Sequence, residues 1–473
     1  MFSDHGHLIF PILNSWVGFA LLGTYALIAY TLTNKFASGY TDGKESFLLA
    51  RRELNTWQGA MSISAAWLWA PGLFISAQQA YVNGLVGLFW FCLGNFITLT
   101  FFGFFAKKIR DQEPDGFTFT EYVKNRFSGN AYWFYRVEMI ILAVCGFAIN
   151  LIAGGTTVAL LTGMDYTLST ILMSMVALLY AFRNGLKATV VTEIIKISVV
   201  WIGVLVLVPM VVSTAGGIDV VKAGMAGIKG SGSSIIGTSF AWGVFTSFGI
   251  AAFLGHMGGT WRDNSFYQRA FAIKPQSIIP AFTLASFLFI VIPIGMGIIG
   301  FTAAGLGYNI PTDKIFNTNI ITIASLLGPI AAAAFTFMVF AGLIAILDSQ
   351  MASLTNLVGN DLAKPENAIP WARKAMIALA IIGVCVANIP GITLGNLFIF
   401  FSIMGATLFI PSMMIVLKPS LLEGNALFYS FVACFIGAMS LYFNGFTFYA
   451  TLTAVFATPA LAYGSSKLSN RIS

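Results

Sequence analysis

Residues 64–81 read SAAWLWAPGLFISAQQAY, an apolar stretch without a charged side chain that Pro71-Gly72 interrupts. With its flanks it forms a predicted span at 57–82, long enough to cross a hydrocarbon core of roughly 30 Å at about 1.5 Å per residue. Proline and glycine inside such a span favour a helix that breaks within the membrane. The freed backbone groups lie near the bilayer midplane, where they can bind a solute or an ion.

Apolar stretches of similar length recur along the chain, which is 58% hydrophobic and only 9% charged. A lipid-exposed backbone must satisfy its own hydrogen bonds, so each stretch is predicted to be a helix. We expect an all-α integral membrane protein with about thirteen transmembrane helices, at 11–33, 57–82, 84–106, 131–154, 165–182, 188–213, 236–257, 276–303, 323–352, 371–389, 393–417, 424–444 and 446–466. The connections are too short for a soluble domain, so 1–473 is predicted to be one membrane domain.

The basic residues are distributed unequally between the loops on the two sides of the predicted membrane. If the N-terminus lies outside, twenty Lys and Arg residues fall on the inward side, and the outward loops hold three, Lys222, Lys229 and Lys314. This asymmetry follows the positive-inside rule and predicts a multi-pass protein of the plasma (inner) membrane, with its N-terminus outside and its C-terminus in the cytoplasm. The first helix, which has no cleavage signal, is expected to be retained. The net charge of +7 therefore reflects topology, and we expect no nucleic-acid partner.

The sequence gives no indication of an enzyme. All four cysteines fall inside predicted spans and are interpreted as packing residues. The three histidines do not cluster, and neither paired midplane carboxylates nor a nucleophile elbow appears in the sequence. We therefore expect no catalytic residue and no cofactor other than a coupling ion.

A second interruption is predicted in helix seven, where Thr246, Ser247 and Gly249 stand in an apolar run. Because five spans separate the two interrupted helices, helices 2–6 and 7–11 enter the membrane from opposite sides, as inverted repeats do. We therefore divide the chain into a first helix and inward loop, two repeats, and C-terminal helices with a tail: 1–56, 57–213, 236–417 and 424–473. Residues 214–235, rich in Gly and Ser, form an external connector.

Five ordered blocks carry a family resemblance. They are SFLLARRELNTWQGAMSISAAWLWAPGLFISAQQAYVNG (46–84), GFTFTEYVKNRF (116–127), NGLKATVVTEII (184–195), GGTWRDNSFYQRAFA (258–272) and AGLIAILDSQMASLTNLVGNDL (341–362). Together they resemble the sodium:solute symporter family, which includes proline, glucose and pantothenate symporters. The resemblance implies a 5+5 inverted repeat of the leucine-transporter type. Locally, Trp67-x-Trp69-Ala70 followed by Tyr81 looks most like the urea permease branch of plants and fungi.

The resemblance also implies a cation site. The family holds Na⁺ between backbone carbonyls of the broken helix, here Ala65 and Leu68, and side chains of the ninth helix. The matching ninth-helix positions are Gly342, Ala345 and Ile346, where the family has a small residue and then two hydroxyl residues. A sodium site at Ala65, Leu68, Gly342 and Ala345 is thus possible but lacks two side-chain oxygens.

Nearby ionisable residues offer a replacement for that site. Asp348 and Ser349 lie close by on the ninth helix and can supply oxygens after a small shift. Glu193 and Lys196 share one face of the sixth helix, and ionisable residues inside a membrane are functional candidates by default. The Lys196 ammonium or a proton on Glu193 can take the place of sodium. The alternative is that Glu193 and Lys196 merely neutralise each other.

Substrate and gate residues are inferred from the interrupted helices. The substrate-binding candidates are Trp67, Trp69, Gly72, Gln78, Phe245 and Ser247. Arg262, Asp263 and Arg269 follow helix seven on the inward side and are candidates for a gate closed by ion pairs. The alternative for these three is a solvated loop that obeys the positive-inside rule.

The resulting hypothesis is a secondary active symporter that imports a small polar solute, urea-like or amino-acid-like, by alternating access driven by Na⁺ or H⁺. A passive channel or facilitator and a transporter-like sensor are the alternatives. The expected partners are the small-molecule substrate and membrane lipid, and no obligate protein partner is evident.

Overall fold

The computed structural model describes residues 11–36, 43–127, 130–392 and 394–472, and these residues are almost entirely helical. Within them the one β-type pairing is an isolated bridge between Leu54 and Ile273. The α-helices are α1 Ser15–Phe36, α2 Lys44–Leu49, α3 Thr56–Trp67, α4 Ala70–Gln112, α5 Phe119–Lys124, α6 Ala131–Thr162, α7 Tyr166–Thr214, α8 Ile218–Gly224, α9 Ser239–Val244, α10 Ile250–Arg262, α11 Asn264–Ala272, α12 Ile278–Gly305, α13 Thr318–Leu357, α14 Ala368–Ala387, α15 Leu394–Leu417, α16 Gly424–Phe443, α17 Thr447–Leu452 and α18 Thr458–Ile472.

Ten helical segments of the described chain are long and apolar enough to cross a membrane, and this confirms the all-α membrane fold. The predicted count of thirteen spans is not confirmed. Several predicted spans are joined into longer helices: α4 runs for 43 residues and α7 for 49. Gly84 in α4 and Gly185 in α7 have positive φ angles of 68° and 59°, so each long helix changes direction close to a predicted boundary between spans.

The predicted break in the second span exists, but it lies upstream of Pro71-Gly72. Helix α3 ends at Trp67, and Leu68 and Trp69 leave the helical conformation, with ψ angles of 64° and 170°. Pro71 lies in the first turn of α4, where its missing N–H costs no hydrogen bond. The amide of Ala70 at the start of α4 donates to Oδ1 of Asn150 on α6, at 2.9 Å. The break is therefore stabilised by a side chain of a neighbouring helix.

The predicted break in helix seven is wrong. Helices α9 and α10 are joined without interruption by a π-helical turn at Phe245–Gly249. The Thr246 and Ser247 hydroxyls donate to carbonyls of the preceding turn, at 3.1 and 2.7 Å. Serine and threonine side chains bond in this way to the helix that carries them, so their presence does not require unwinding.

Helices α10 and α15 approach closely through glycines. A Cβ atom added to Gly258 on α10 would overlap the carbonyl group of Gly405 on α15, and one added to Gly255 would lie 2.6 Å from Cβ of Ser402. The backbones of the two helices therefore touch beside the cavity described below.

Gly258→Ala is expected to lower the stability of the folded protein. The added methyl group has no space between α10 and α15, and overpacking of this kind costs about 1–3 kcal/mol. Gly243→Ala is the matched control, because Gly243 lies on the same membrane-spanning segment and a Cβ there meets nothing within 4 Å. The measurement is the thermal unfolding midpoint of both variants in detergent. An unchanged midpoint for Gly258→Ala would contradict the close contact.

Candidate binding cavity

A cavity lies at the break between α3 and α4. It is lined by Trp67 and Trp69 of the break and by residues of α6, α10, α13 and α15. The space between its lining atoms amounts to about 530 Å³, including the part that is open to the surroundings. Five helices thus converge on the point where one of them is broken.

Several buried polar atoms of this wall have no hydrogen-bond partner within the described part of the chain. They are Nε1 of Trp67, Nε1 of Trp69, Nδ1 of His256, Nε and Nη1 of Arg262, and Oε1 of Gln350. A buried donor or acceptor without a partner costs free energy, and a bound solute can supply the missing partner. Four of these groups are N–H donors, Oε1 of Gln350 is an acceptor, and Nδ1 of His256 is a donor or an acceptor according to its tautomer. The wall is therefore suited to a solute that carries an exposed oxygen and at least one N–H group.

Aromatic rings form much of the remaining wall. The ring centroids of Trp67 and Trp69 lie 6.2 Å apart, and Trp69 lies 6.1 Å from Phe398 and 6.3 Å from Phe401. The Arg262 guanidinium lies 4.7 Å from the ring centroid of Phe401, in a cation–π contact. Flat faces on several sides favour a small planar solute.

The structure separates the predicted substrate residues into two groups. Trp67 and Trp69 line the cavity, whereas Gly72, Gln78, Phe245 and Ser247 are not among its lining residues. Gly72 packs against Phe289, and the Phe245 ring lies 4.8 Å from that of Trp90. Ser247 is exposed, and Gln78 is half-buried. The two helix-seven residues miss the cavity because that helix is not unwound at its π turn.

Sequence reasoning missed several lining residues. Gln350 was visible as one of three consecutive polar residues, with Asp348 and Ser349, in an apolar span, but His256 resembled a helix-end residue. The α15 residues, Phe398 and Phe401, had no local signal, because aromatic residues occur throughout this chain.

Two of the predicted gate residues also lie at the cavity. Arg262 is the last residue of α10, and its Nη1 lies 3.8 Å from Oε1 of Glu138 on α6. Asp263 accepts hydrogen bonds from the Ser265 amide at 2.8 Å and from Nε2 of Gln350 at 3.2 Å. Both line the cavity and are buried, which rules out the alternative of a solvated loop for them.

Arg269, the third gate candidate, belongs to a buried network that joins α3, α7, α11 and α13. Its Nη2 pairs with Glu193, and it donates to Oγ of Ser62 at 2.8 Å, to Oγ of Ser349 at 3.0 Å and to the Ser265 carbonyl at 2.9 Å. Glu193 also accepts from the hydroxyls of Ser62 and Ser349. Arg269 and Glu193 are fully buried, so the network holds four helices together inside the protein.

A second buried ion pair lies between α7 and α13. Nζ of Lys196 donates to Oδ2 of Asp348 at 2.5 Å, and Thr192 donates to the same oxygen at 2.9 Å. The alternative in which Glu193 and Lys196 neutralise each other is thereby corrected, because Glu193 is paired with Arg269 instead. The two residues share a helical face, yet partners on other helices offer better geometry.

The position implied for sodium is recognisable but poor in oxygen. Gly342 of α13 lies beside the break, and a Cβ added there would be 3.6 Å from Cδ2 of Leu68. Ala345 and Ile346 follow on the same helix, and the Leu68 amide donates to the Ala65 carbonyl at 3.2 Å. The structure thus brings Gly342 close to Leu68, and the side chains at these five positions carry no oxygen.

Comparison with known proteins gives a consistent result. The model of the family described as "Sodium:solute symporter family" matches residues 47–416. The chain is 26% identical over 319 residues to a probable urea active transporter of Schizosaccharomyces pombe, covering 63% of this chain and 47% of the relative. It is 26% identical over 327 residues to the urea-proton symporter of Oryza sativa subsp. japonica, covering 63% and 45%. The chain thus spans about half the length of the curated relatives it matches.

A solved structure supports the fold. A Na⁺-coupled sialic acid symporter in a substrate-bound outward-open state superposes with a TM-score of 0.80 at 14% identity, covering 96% of this chain and 97% of that one. Identity this low bears on the fold alone. The predicted inverted-repeat fold of the leucine-transporter type is confirmed.

Proposed function

Because this chain belongs to the sodium:solute symporter family, we propose that it imports a small neutral polar solute in symport with a cation by alternating access. The solute we favour is urea-like, and the ion we favour is the proton. The observation that carries this proposal is the cavity at the α3–α4 break, with its unpartnered N–H donors. We also propose the plasma membrane as its location, with the N-terminus outside, from the distribution of Lys and Arg.

The chemistry of the cavity supports a urea-like solute. Urea has one strong acceptor oxygen, which suits the N–H groups of Trp67, Trp69 and Arg262, and it has N–H groups that suit Oε1 of Gln350. Its planar shape fits between aromatic faces. Two similar proteins are named as urea transporters, which agrees with this choice.

The Lys196–Asp348 pair supports proton coupling. Asp348 and the Lys196 ammonium join α7 to α13 beside the region where the family binds sodium. A lysine side chain can lose its proton when buried, whereas a sodium site here lacks side-chain oxygens at Ala345 and Ile346. We propose that the protonated pair holds α7 against α13 and that proton release to the inside loosens this contact. The rice relative is named a urea-proton symporter.

Uptake by proteoliposomes tests the proposal. With an inward pH gradient in sodium-free buffer, [¹⁴C]urea is expected to accumulate above its external concentration, because the gradient does work on the solute. Accumulation excludes the passive channel or facilitator, and it also excludes a sensor that does not transport. Uptake that stops at equilibrium, or that requires sodium, would contradict the proposal.

A further inference from the structure

Glu138 is a buried carboxylate behind the cavity wall. It lies on α6 and is not among the cavity-lining residues. Its Oε1 is nevertheless 3.8 Å from Nη1 of Arg262, which does line the cavity. Glu138 is 5% exposed and Arg262 2%. Neither Oε1 of Glu138 nor Nε and Nη1 of Arg262 has a hydrogen-bond partner in the described chain. The pair is thus held by charge, and the guanidinium retains donors for another partner.

On the side away from Arg262, Glu138 has few polar neighbours. On its other side Glu138 lines a separate groove whose remaining walls are Phe134, Val137, Ile141, Phe400, Met404, Thr407 and Phe435. In this low-dielectric environment the carboxylate acts mainly on Arg262. Asp263, the next residue after Arg262, adds a second carboxylate at the cavity wall. One guanidinium therefore faces the cavity with two carboxylates close to it.

This charge balance distinguishes a neutral solute from an anion. The planar guanidinium can donate to the oxygen of a neutral amide, and the charge on the donor strengthens that hydrogen bond. An isolated guanidinium would bind a carboxylate more strongly still. With Glu138 beside it and Asp263 next in sequence, an incoming carboxylate meets like charges, and like charges in contact discriminate strongly against a ligand.

We propose that Glu138 is a charge filter: it neutralises Arg262 from behind, so the cavity accepts the oxygen of a neutral amide and rejects carboxylates. Glu138 does not touch the solute and acts through Arg262 as a specificity-determining residue. The inference rests on the proposed function, because it requires that the cavity bind a neutral amide.

The test is the inhibition of urea exchange by a matched pair of competitors. Proteoliposomes loaded with unlabelled urea take up [¹⁴C]urea by counterflow without any ion gradient, so the assay reports the cavity and not the coupling. The competitors are malonamide and malonamate, which differ in the replacement of one amide by a carboxylate. We expect malonamate to inhibit the wild type at least about tenfold less than malonamide, and to approach malonamide within about threefold in Glu138→Gln.

Control variants separate charge from structure. Glu138→Asp keeps the carboxylate and is expected to keep the discrimination, whereas Glu138→Ala is a second neutral variant and should lose it. Glu113→Gln removes a carboxylate from the 2.8 Å pair with Arg126, in the segment preceding α5, and should behave as the wild type. The ratio of the two inhibition constants is measured within one preparation, so a smaller folded fraction leaves it unchanged.

Two failures are distinguishable. If the wild type exchanges urea but Glu138→Gln still rejects malonamate, or if the wild type itself admits malonamate, the charge filter is wrong and the proposed function stands. If the wild type does not exchange urea, the proposed function is wrong and this inference falls with it.

Discussion

Replacing Lys196 by glutamine together with Asp348 by asparagine is expected to abolish urea accumulation while preserving urea exchange. The double substitution removes the 2.5 Å ion pair between α7 and α13 and leaves neither charge buried alone. If this pair binds and releases the proton that drives transport, the variant should still bind urea in the cavity. It should lose only the coupling of urea uptake to the proton gradient. Accumulation should fall from as much as about fifty-fold, the limit for one charge crossing about 100 mV, to the equilibrium value.

The single variants explain why the double substitution is needed. Lys196→Gln alone leaves Asp348 buried without its cation, and breaking a buried pair in this way costs about 3–5 kcal/mol. A loss of transport in the single variant would therefore not separate coupling from folding. Accumulation under a pH gradient and counterflow without a gradient are measured on the same proteoliposomes.

Lys107→Gln is the control, since Lys107 forms a 2.5 Å pair with Asp111 that is exposed on a helix surface. Exposed pairs contribute about 0–1 kcal/mol, so this variant should retain both activities. Sodium-dependent accumulation that persists in the Lys196 and Asp348 double variant would contradict proton coupling. It would instead indicate that sodium is bound by other oxygens, for which the Ser349 hydroxyl on α13 is one candidate.

The features that could be predicted from the sequence are local ones. The length of the apolar stretches identified the membrane helices, because a backbone exposed to lipid must satisfy its own hydrogen bonds. Pro71-Gly72 indicated the position of the broken helix to within a few residues. Gly185 lies between two predicted spans and marks the bend of α7. These signals depend on a few neighbouring residues and do not require knowledge of which helices touch.

The pairing of charges could not be predicted, because it depends on contacts between distant segments. Glu193 and Lys196 lie three residues apart, yet their partners are Arg269 and Asp348, 76 and 152 residues further along the chain. Helical periodicity places the two residues on one face but does not show what packs against that face. For the same reason Glu138, which lies outside every quoted family block, gave no sign of its position behind Arg262.

Arg269→Met is expected to be among the most destabilising single substitutions in this protein. Arg269 is fully buried and donates to Glu193, Ser62, Ser349 and the Ser265 carbonyl. Methionine fills a similar volume but leaves the Glu193 carboxylate without its cation, at a cost of about 3–5 kcal/mol. The thermal unfolding midpoint in detergent should fall well below that of Arg126→Met. That control breaks the partly exposed pair with Glu113 outside the membrane-spanning segments.

The double variant Arg269→Met, Glu193→Gln shows what the network does besides stabilising the fold. Removing both charges leaves no buried ion unpaired, and such replacements are often neutral in stability, so the midpoint should recover most of the loss. If Arg269 and Glu193 hold the inward gate, this folded variant should still bind urea but should fail to accumulate it, because the joined helices α3, α7, α11 and α13 no longer close as a unit. Normal accumulation by the double variant would mean that the network is structural and that the gate lies elsewhere. A midpoint no higher than that of Arg269→Met would show that the hydrogen bonds to Ser62 and Ser349, and not the charge pair, provide the stability.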